Sequence, residues 1–113
     1  MKLLIAYIQP HKLNDVKKSL FEKDIQRFSV MNVYGHSEED GFNESYRGIE
    51  IQKDLIKKIK IEIALNDNFV DEVVEIISNA CKTGKLGDGK IFILPLEKAF
   101  RIRCEDQDSV AIG

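Results

Sequence analysis

At 113 residues the chain has the length of one domain and room for one hydrophobic core, so the expected organisation is a single domain over residues 1–113. A net charge of −2 and a pI of about 5.7 exclude a global basic field of the kind that recruits nucleic acid. No apolar run approaches the roughly 20 residues that span a bilayer, and Met1-Lys2-Leu3-Leu4 leads into an apolar stretch too short for a signal peptide. Cys81 and Cys104 lack CxxC spacing and His11 and His36 lack a partner at ligand spacing, which points to reduced thiols in the cytoplasm and to no intrinsic metal site.

Leu3-Leu4-Ile5-Ala6-Tyr7-Ile8 is a continuous apolar run closed by Pro10, the pattern of a central strand buried on both faces. Leu13, Val16, Leu20 and Phe21 then recur at helical spacing with Lys17, Lys18, Glu22 and Lys23 between them, an amphipathic helix with one face on a sheet. Phe28 to Tyr34 is rich in strand formers around Val30 and Val33 and stops at Gly35. From there to about Leu55 the periodicity disappears. The stretch is polar, acidic and glycine-punctuated, and a connection of about twenty residues is abnormal in a small domain, which marks a flexible binding loop over 36–55. Tyr46, Arg47 and Ile49-Glu50-Ile51 place aromatic, cationic and apolar groups in it.

Lys58 to Leu65 alternates strictly, with Ile59, Ile61, Ile63 and Leu65 on one face and Lys58, Lys60 and Glu62 on the other. Asn66-Asp67-Asn68 is a capping cluster for a second helix. Its apolar stripe runs from Phe69 to Cys81, its first turn carries Asp71 and Glu72 as the helix dipole prefers, and Lys82 and Gly84 end it. Ile91 to Leu94 is a further strand, broken by Pro95. Arg101-Ile102-Arg103 alternates like a short edge strand, and the tail over 104–113 is acidic and small. This order is an α+β, ferredoxin-like βαββαβ pattern with a short extra C-terminal strand: four antiparallel strands with two helices on one face. The opposite face, part charged and part apolar, is left for packing between copies.

Between the second helix and the last long strand lies Thr83-Gly84-Lys85-Leu86-Gly87-Asp88-Gly89-Lys90-Ile91-Phe92-Ile93, with three glycines and two lysines in eight residues. Glycines let successive backbone N–H groups turn toward one point, and such a concavity binds anions. No nucleophile, base and orienting group recur at catalytic spacing. The stretch also lacks the GxxxxGK[ST] spacing of a P-loop, so the chain reads as a binder rather than an enzyme.

Thr-x-x-x-Gly-Asp-Gly-Lys-Ile-Phe-Ile resembles a signature of the PII signal-transduction family of nitrogen regulators. Pro10 and Leu13, Tyr46-Arg47-Gly48, Lys58 to Glu62 and Arg101-Ile102-Arg103 extend the resemblance along nearly the whole chain. It implies a homotrimer whose open sheet faces meet at the centre, with Lys60 and Glu62 in ion pairs between subunits. It further implies ATP or ADP, with magnesium possible beside ATP, in a cleft between subunits. The matching residues are Ser29, Gly35, Glu62, Gly87, Asp88, Gly89 and Lys90, with Arg101 and Arg103 arriving from the neighbouring chain as two guanidinium groups at i, i+2 on a strand. Asp88 reads equally as a turn residue.

The long loop departs from the family pattern. Ser37-Glu38-Glu39 stands where the usual members have Gly-Arg-Gln, so Glu38 sets a negative charge near a triphosphate. Glu39 is a candidate magnesium ligand but repels a dicarboxylate. Lys58, which takes a 2-oxoglutarate carboxylate in the family, is present, and recognition of 2-oxoglutarate stays open. Ile51 and Ile49 occupy the positions of the modified tyrosine and serine of other members, so control by ligand alone is expected, with Tyr46 the nearest modifiable side chain. Arg47 matches the arginine that plugs ammonium channels, and the implied target is such a channel or a nitrogen-assimilation enzyme, with the membrane reached only through the channel. The alternatives are a divergent trimer that senses another small ligand or nucleotide, and a weak nucleotide hydrolase.

Overall fold

A computed structural model describes residues 1–36 and 55–113 and, as backbone, 43–46 and 49–52. Strand β1 (Lys2–Ile8) leads through a 3-10 turn at Pro10–Lys12 into helix α1 (Leu13–Glu22). Strand β2 (Ser29–Gly35) follows, then the short β3 (Asn43–Tyr46) and β4 (Ile49–Gln52), and then β5 (Ile56–Leu65). Helix α2 (Val70–Cys81), β6 (Gly89–Pro95) and α3 (Asp108–Ile112) complete the order. Four strands form one antiparallel sheet in the order β2-β5-β1-β6, the ferredoxin-like arrangement read from the sequence. Among the described residues no helix is long and apolar enough to cross a membrane.

The strict alternation of β5 places Ile59, Ile61, Ile63 and Leu65 in the core. They meet Leu4, Ala6 and Ile8 of β1, Val16 and Leu20 of α1, and Val73, Ile77 and Cys81 of α2 in one buried cluster. Each fully buried leucine or isoleucine contributes about 1.5–3 kcal/mol, so this layer holds the sheet on its helices. β1 corrects one expectation. Its burial alternates, with Leu3, Ile5 and Tyr7 only half-buried, because among the described residues no layer covers their face. By register that face also holds Phe92 and Leu94 of β6, Met31 and Val33 of β2, and Lys60 and Glu62 of β5. Tyr7 meets Phe92 edge-on with ring centroids 6.1 Å apart. The Lys60 ammonium lies 3.1 Å from the Glu62 carboxylate and 6.0 Å from the Tyr7 ring.

Three further differences have local causes. The expected edge strand at 101–103 is a turn, because its backbone bonds close within the segment. Arg101 N–H donates to Asp106 O (3.0 Å) and Cys104 N–H to Arg101 O (3.3 Å), while a single bridge joins Phe100 to Gln107 and α3 follows. The capping cluster does not cap α2, since a 3-10 turn at Asp67–Phe69 intervenes. Asn66 Nδ2 instead donates to Ser109 O (3.1 Å), and Asp67 accepts from the Met1 amine (2.8 Å), so both fasten the termini. Finally, β3 pairs antiparallel with β4, Asn43 opposite Gln52 and Tyr46 opposite Ile49, inside the stretch expected to be loop. Four-residue strands carry too little alternation to be read from sequence.

Candidate functional site

The glycine-lysine stretch forms a turn closed from within. α2 ends at Cys81, and the chain then reverses through Gly84, Gly87 and Gly89, whose φ angles are +83°, +95° and +113°. These lie in the region that side chains with a Cβ disfavour. Gly89 has a second reason to be glycine: a Cβ there would lie 1.9 Å from Tyr7 O. The Asp88 carboxylate accepts from Thr83 N–H (2.8 Å), from Gly84 N–H (2.9 Å) and from the Thr83 hydroxyl. That hydroxyl also accepts from Lys85 N–H (3.2 Å). The Thr83 hydroxyl, reinforced by the two backbone N–H groups, holds the Asp88 carboxyl below the usual carboxylate range.

The same turn is tied to the sheet. Gln9 Nε2 donates to Gly87 O (2.9 Å), and Lys58 Nζ lies 3.4 Å from that oxygen. Gly35 is beside Lys58, since a Cβ there would lie 3.9 Å from Lys58 Cγ. Lys90 stands opposite Tyr7 across the β1–β6 ladder. Gly35, Lys58, Gly87, Asp88, Gly89 and Lys90 therefore gather at one end of the sheet. Beneath the turn, between α2 and β6, is a cavity of about 280 Å³ whose wall includes Ile8, Ile77, Cys81 and Ile91. Burial pushes the Cys81 thiol up to about 11, so it holds its proton at neutral pH and offers no thiolate nucleophile.

The remaining candidates form a second group. Ser29 stands opposite Glu62 across the β2–β5 ladder. Both line an open groove of about 460 Å³ with Leu3, Ala64, Phe28 and Arg27. Arg27 Nη1 donates to Gly113 O (3.3 Å), and Arg101 Nη2 donates to the same oxygen (3.0 Å), so two guanidinium groups converge on the last residue. Arg101 also pairs with Asp106 (3.2 Å) and donates to Val110 O (3.1 Å) and Ala111 O (3.3 Å) at the end of α3. Because 101–103 is a turn, the two arginines are not aligned by a strand: Arg101 faces α3 and Arg103 is exposed. Lys58 and Glu62, four residues apart on β5, mark the two groups as about 13 Å from each other at roughly 3.3 Å per residue.

Glu39 and Arg47 lie outside the described residues, and Tyr46, Ile49 and Ile51 are placed only as backbone in β3 and β4. Among the described residues no group of three or more histidine, cysteine, aspartate or glutamate side chains is arranged to hold a metal ion. Sequence reasoning missed Gln9 and Arg27. Each is a single polar residue beside a strand end, and only the fold brings one to Gly87 and the other to the Ser29–Glu62 groove.

The chain is similar to known proteins over nearly its whole length. The family described as nitrogen regulatory protein P-II matches residues 1–106. Nitrogen regulatory protein GlnK of Escherichia coli is 42% identical over 112 residues, covering 99% of this chain and 100% of that protein. Nitrogen regulatory protein P-II of Pyropia yezoensis is 45% identical, and that of Klebsiella oxytoca 42%, each over 112 residues with the same coverage. The chain belongs to the nitrogen regulatory protein P-II family.

Proposed function

We propose that this regulator of nitrogen metabolism binds ATP or ADP at the junctions of a cytoplasmic homotrimer and acts on a protein target through its 36–55 segment. The observation that carries the reading is the division of the candidate residues into two half-sites on one chain. One is a glycine turn with Lys90 and Lys58 beside it, suited to phosphate oxygens and to a carboxylate. The other is a groove with an apolar floor, a hydroxyl and a carboxylate, suited to the edge and face of a base. A ring interface is heterologous and joins two different patches of the same surface. In the proposed ring the open sheet faces are covered, and the turn of one copy meets the groove of the next. Lys60 and Glu62, paired within the chain, lie on the face that the neighbours cover.

The expected targets are an ammonium channel, which Arg47 would enter, or an enzyme of nitrogen assimilation. Magnesium accompanies ATP, with Glu39 as its ligand from the chain, and Lys58 is the residue for 2-oxoglutarate. Calorimetric titration with ADP, and with magnesium-ATP with and without 2-oxoglutarate, tests this on protein whose mass is measured in the same buffer. The expected result is one nucleotide per chain in a trimer. Binding of 2-oxoglutarate only with magnesium-ATP would assign Glu39 the metal. Nucleotide binding without it would make the protein a sensor of the ADP/ATP balance. A monomer, or a trimer that takes no adenine nucleotide, would overturn the reading.

A further inference from the structure

We propose that Asp88 and Gln9 are positioning residues: their side chains hold the Gly87–Gly89 backbone from opposite sides in the form that receives a phosphate chain, and neither side chain contacts the ligand or its metal ion. The inference rests on the nucleotide-binding reading above and assigns roles within that site.

Both oxygens of Asp88 are engaged by the chain itself. Oδ2 accepts from Thr83 and Gly84 N–H, and Oδ1 accepts from the Thr83 hydroxyl. These three donors take most of the accepting capacity of the carboxylate, and each bond is strengthened by the charge it faces, so a cation finds Asp88 already largely satisfied. The bonds close the Thr83–Asp88 segment into a ring, and within it the chain passes through positive φ at Gly84 and Gly87. Gln9 acts from outside the ring. It lies 78 residues away in sequence, so its bond to Gly87 O fixes the ring on the sheet rather than on itself. Gly89 is registered opposite Ile8, the residue before Gln9. Three consecutive residues are thus each held: Gly87 by its carbonyl, Asp88 by its side chain and Gly89 by the ladder.

This matters for affinity because a loop that orders only on binding loses conformational entropy at that moment. For two residues the loss is on the order of tenfold or more in the dissociation constant. Gln9 also has a role distinct from that of Lys58. A carboxylate ligand that draws the Lys58 ammonium away leaves the Gln9 amide on Gly87 O.

The test is a set of titrations on the full chain with ADP in chelator and with magnesium-ATP. Asp88→Asn and Thr83→Val are each expected to lower affinity about tenfold for both ligands alike. The double variant is expected to be no weaker than the weaker single one, because the hydroxyl bond that Thr83→Val removes is one of those that Asp88→Asn breaks. Gln9→Leu is expected to lower affinity for both ligands, and Gln9→Lys, which keeps a donor, to restore it. Loss of magnesium-ATP binding with ADP binding intact in Asp88→Asn would make Asp88 a metal ligand and overturn the proposal. Unchanged affinity for both ligands, or additive losses in the double variant, would overturn it as well. A readout without ligand separates this proposal from the one it rests on: amide exchange at Thr83 and Gly84 is expected to accelerate in Asp88→Asn. If the parent protein bound no nucleotide, the functional reading alone would fail. Unchanged exchange would sink the clasp itself.

Discussion

Two turns of this chain are each closed by an aspartate five residues after the residue it holds. In the first, Asp88 returns to Thr83; in the second, Asp106 returns to Arg101. The partners differ, and so does what each turn presents. Asp88 is satisfied by backbone N–H groups and a hydroxyl, which leaves Lys85 and Lys90 exposed outside the clasp. Asp106 is satisfied by a guanidinium that also reaches the carbonyls at the end of α3. The first turn is thus closed on itself with its cations left exposed, and the second folds its central cation onto its own chain. Equal spacing of an acid does not make equal sites. What matters is whether the acid is answered by the backbone or by the charge that a ligand would use.

The largest effect expected from breaking this comparison is at Gly89. Gly89→Ala sets a Cβ against Tyr7 O at positive φ and should cost about 3 kcal/mol or more in urea unfolding. Gly84→Ala, at positive φ but with nothing within 4 Å of its Cβ, should cost about 1 kcal/mol. Equal costs would mean that the turn is not seated on β1.

In the second turn, Arg101→Ala should lower stability by about 1 kcal/mol, discounted for the partial exposure of its ion pair, and speed amide exchange over 108–112. Arg101→Lys should not restore protection, because an ammonium lacks the planar fork that reaches Asp106 and three carbonyls together. Acid titration sharpens the contrast further. The folded carboxyl of Asp88 is depressed, so its contribution to stability is present above the ordinary carboxylate range and is lost as pH falls through the lower folded value. The Thr83 and Gly84 amide signals should therefore move at a lower pH than an ordinary aspartate would move them.

The smallest effect is chemical. Cys81 ends α2 just before the first turn and is buried, while Cys104 lies exposed in the second. A thiol reagent at neutral pH should label Cys104 rapidly and leave Cys81 unlabelled until the protein unfolds. Between about pH 9 and pH 11 the unfolded chain loses the Cys81 proton and the folded chain keeps it, so stability should fall across that window.

The parts of this molecule legible in its sequence are those written as repeats. β5 alternates over eight residues and α2 carries an unbroken apolar stripe, so both could be placed with their inward faces. The glycine turn was legible because positive φ has few other solutions than glycine. β1 misled because a continuous apolar run looks the same whether both faces of the strand are buried or only one is. Arg101-Ile102-Arg103 misled because three alternating residues do not fix a strand when the backbone can close on Asp106. Gln9 and Arg27 carried no local signal: one becomes significant only where β1 meets the turn, and the other only where β2 meets the C-terminal residue.

Titration of ADP into isotope-labelled protein, followed by backbone amide shifts, probes both half-sites at once. The amides of Gly87 to Lys90 should move together with those of Ser29 and Glu62, saturating at one ADP per chain. Shifts confined to either group alone, to the cavity beneath α2, or to no residue at all would contradict a nucleotide site built from two half-sites.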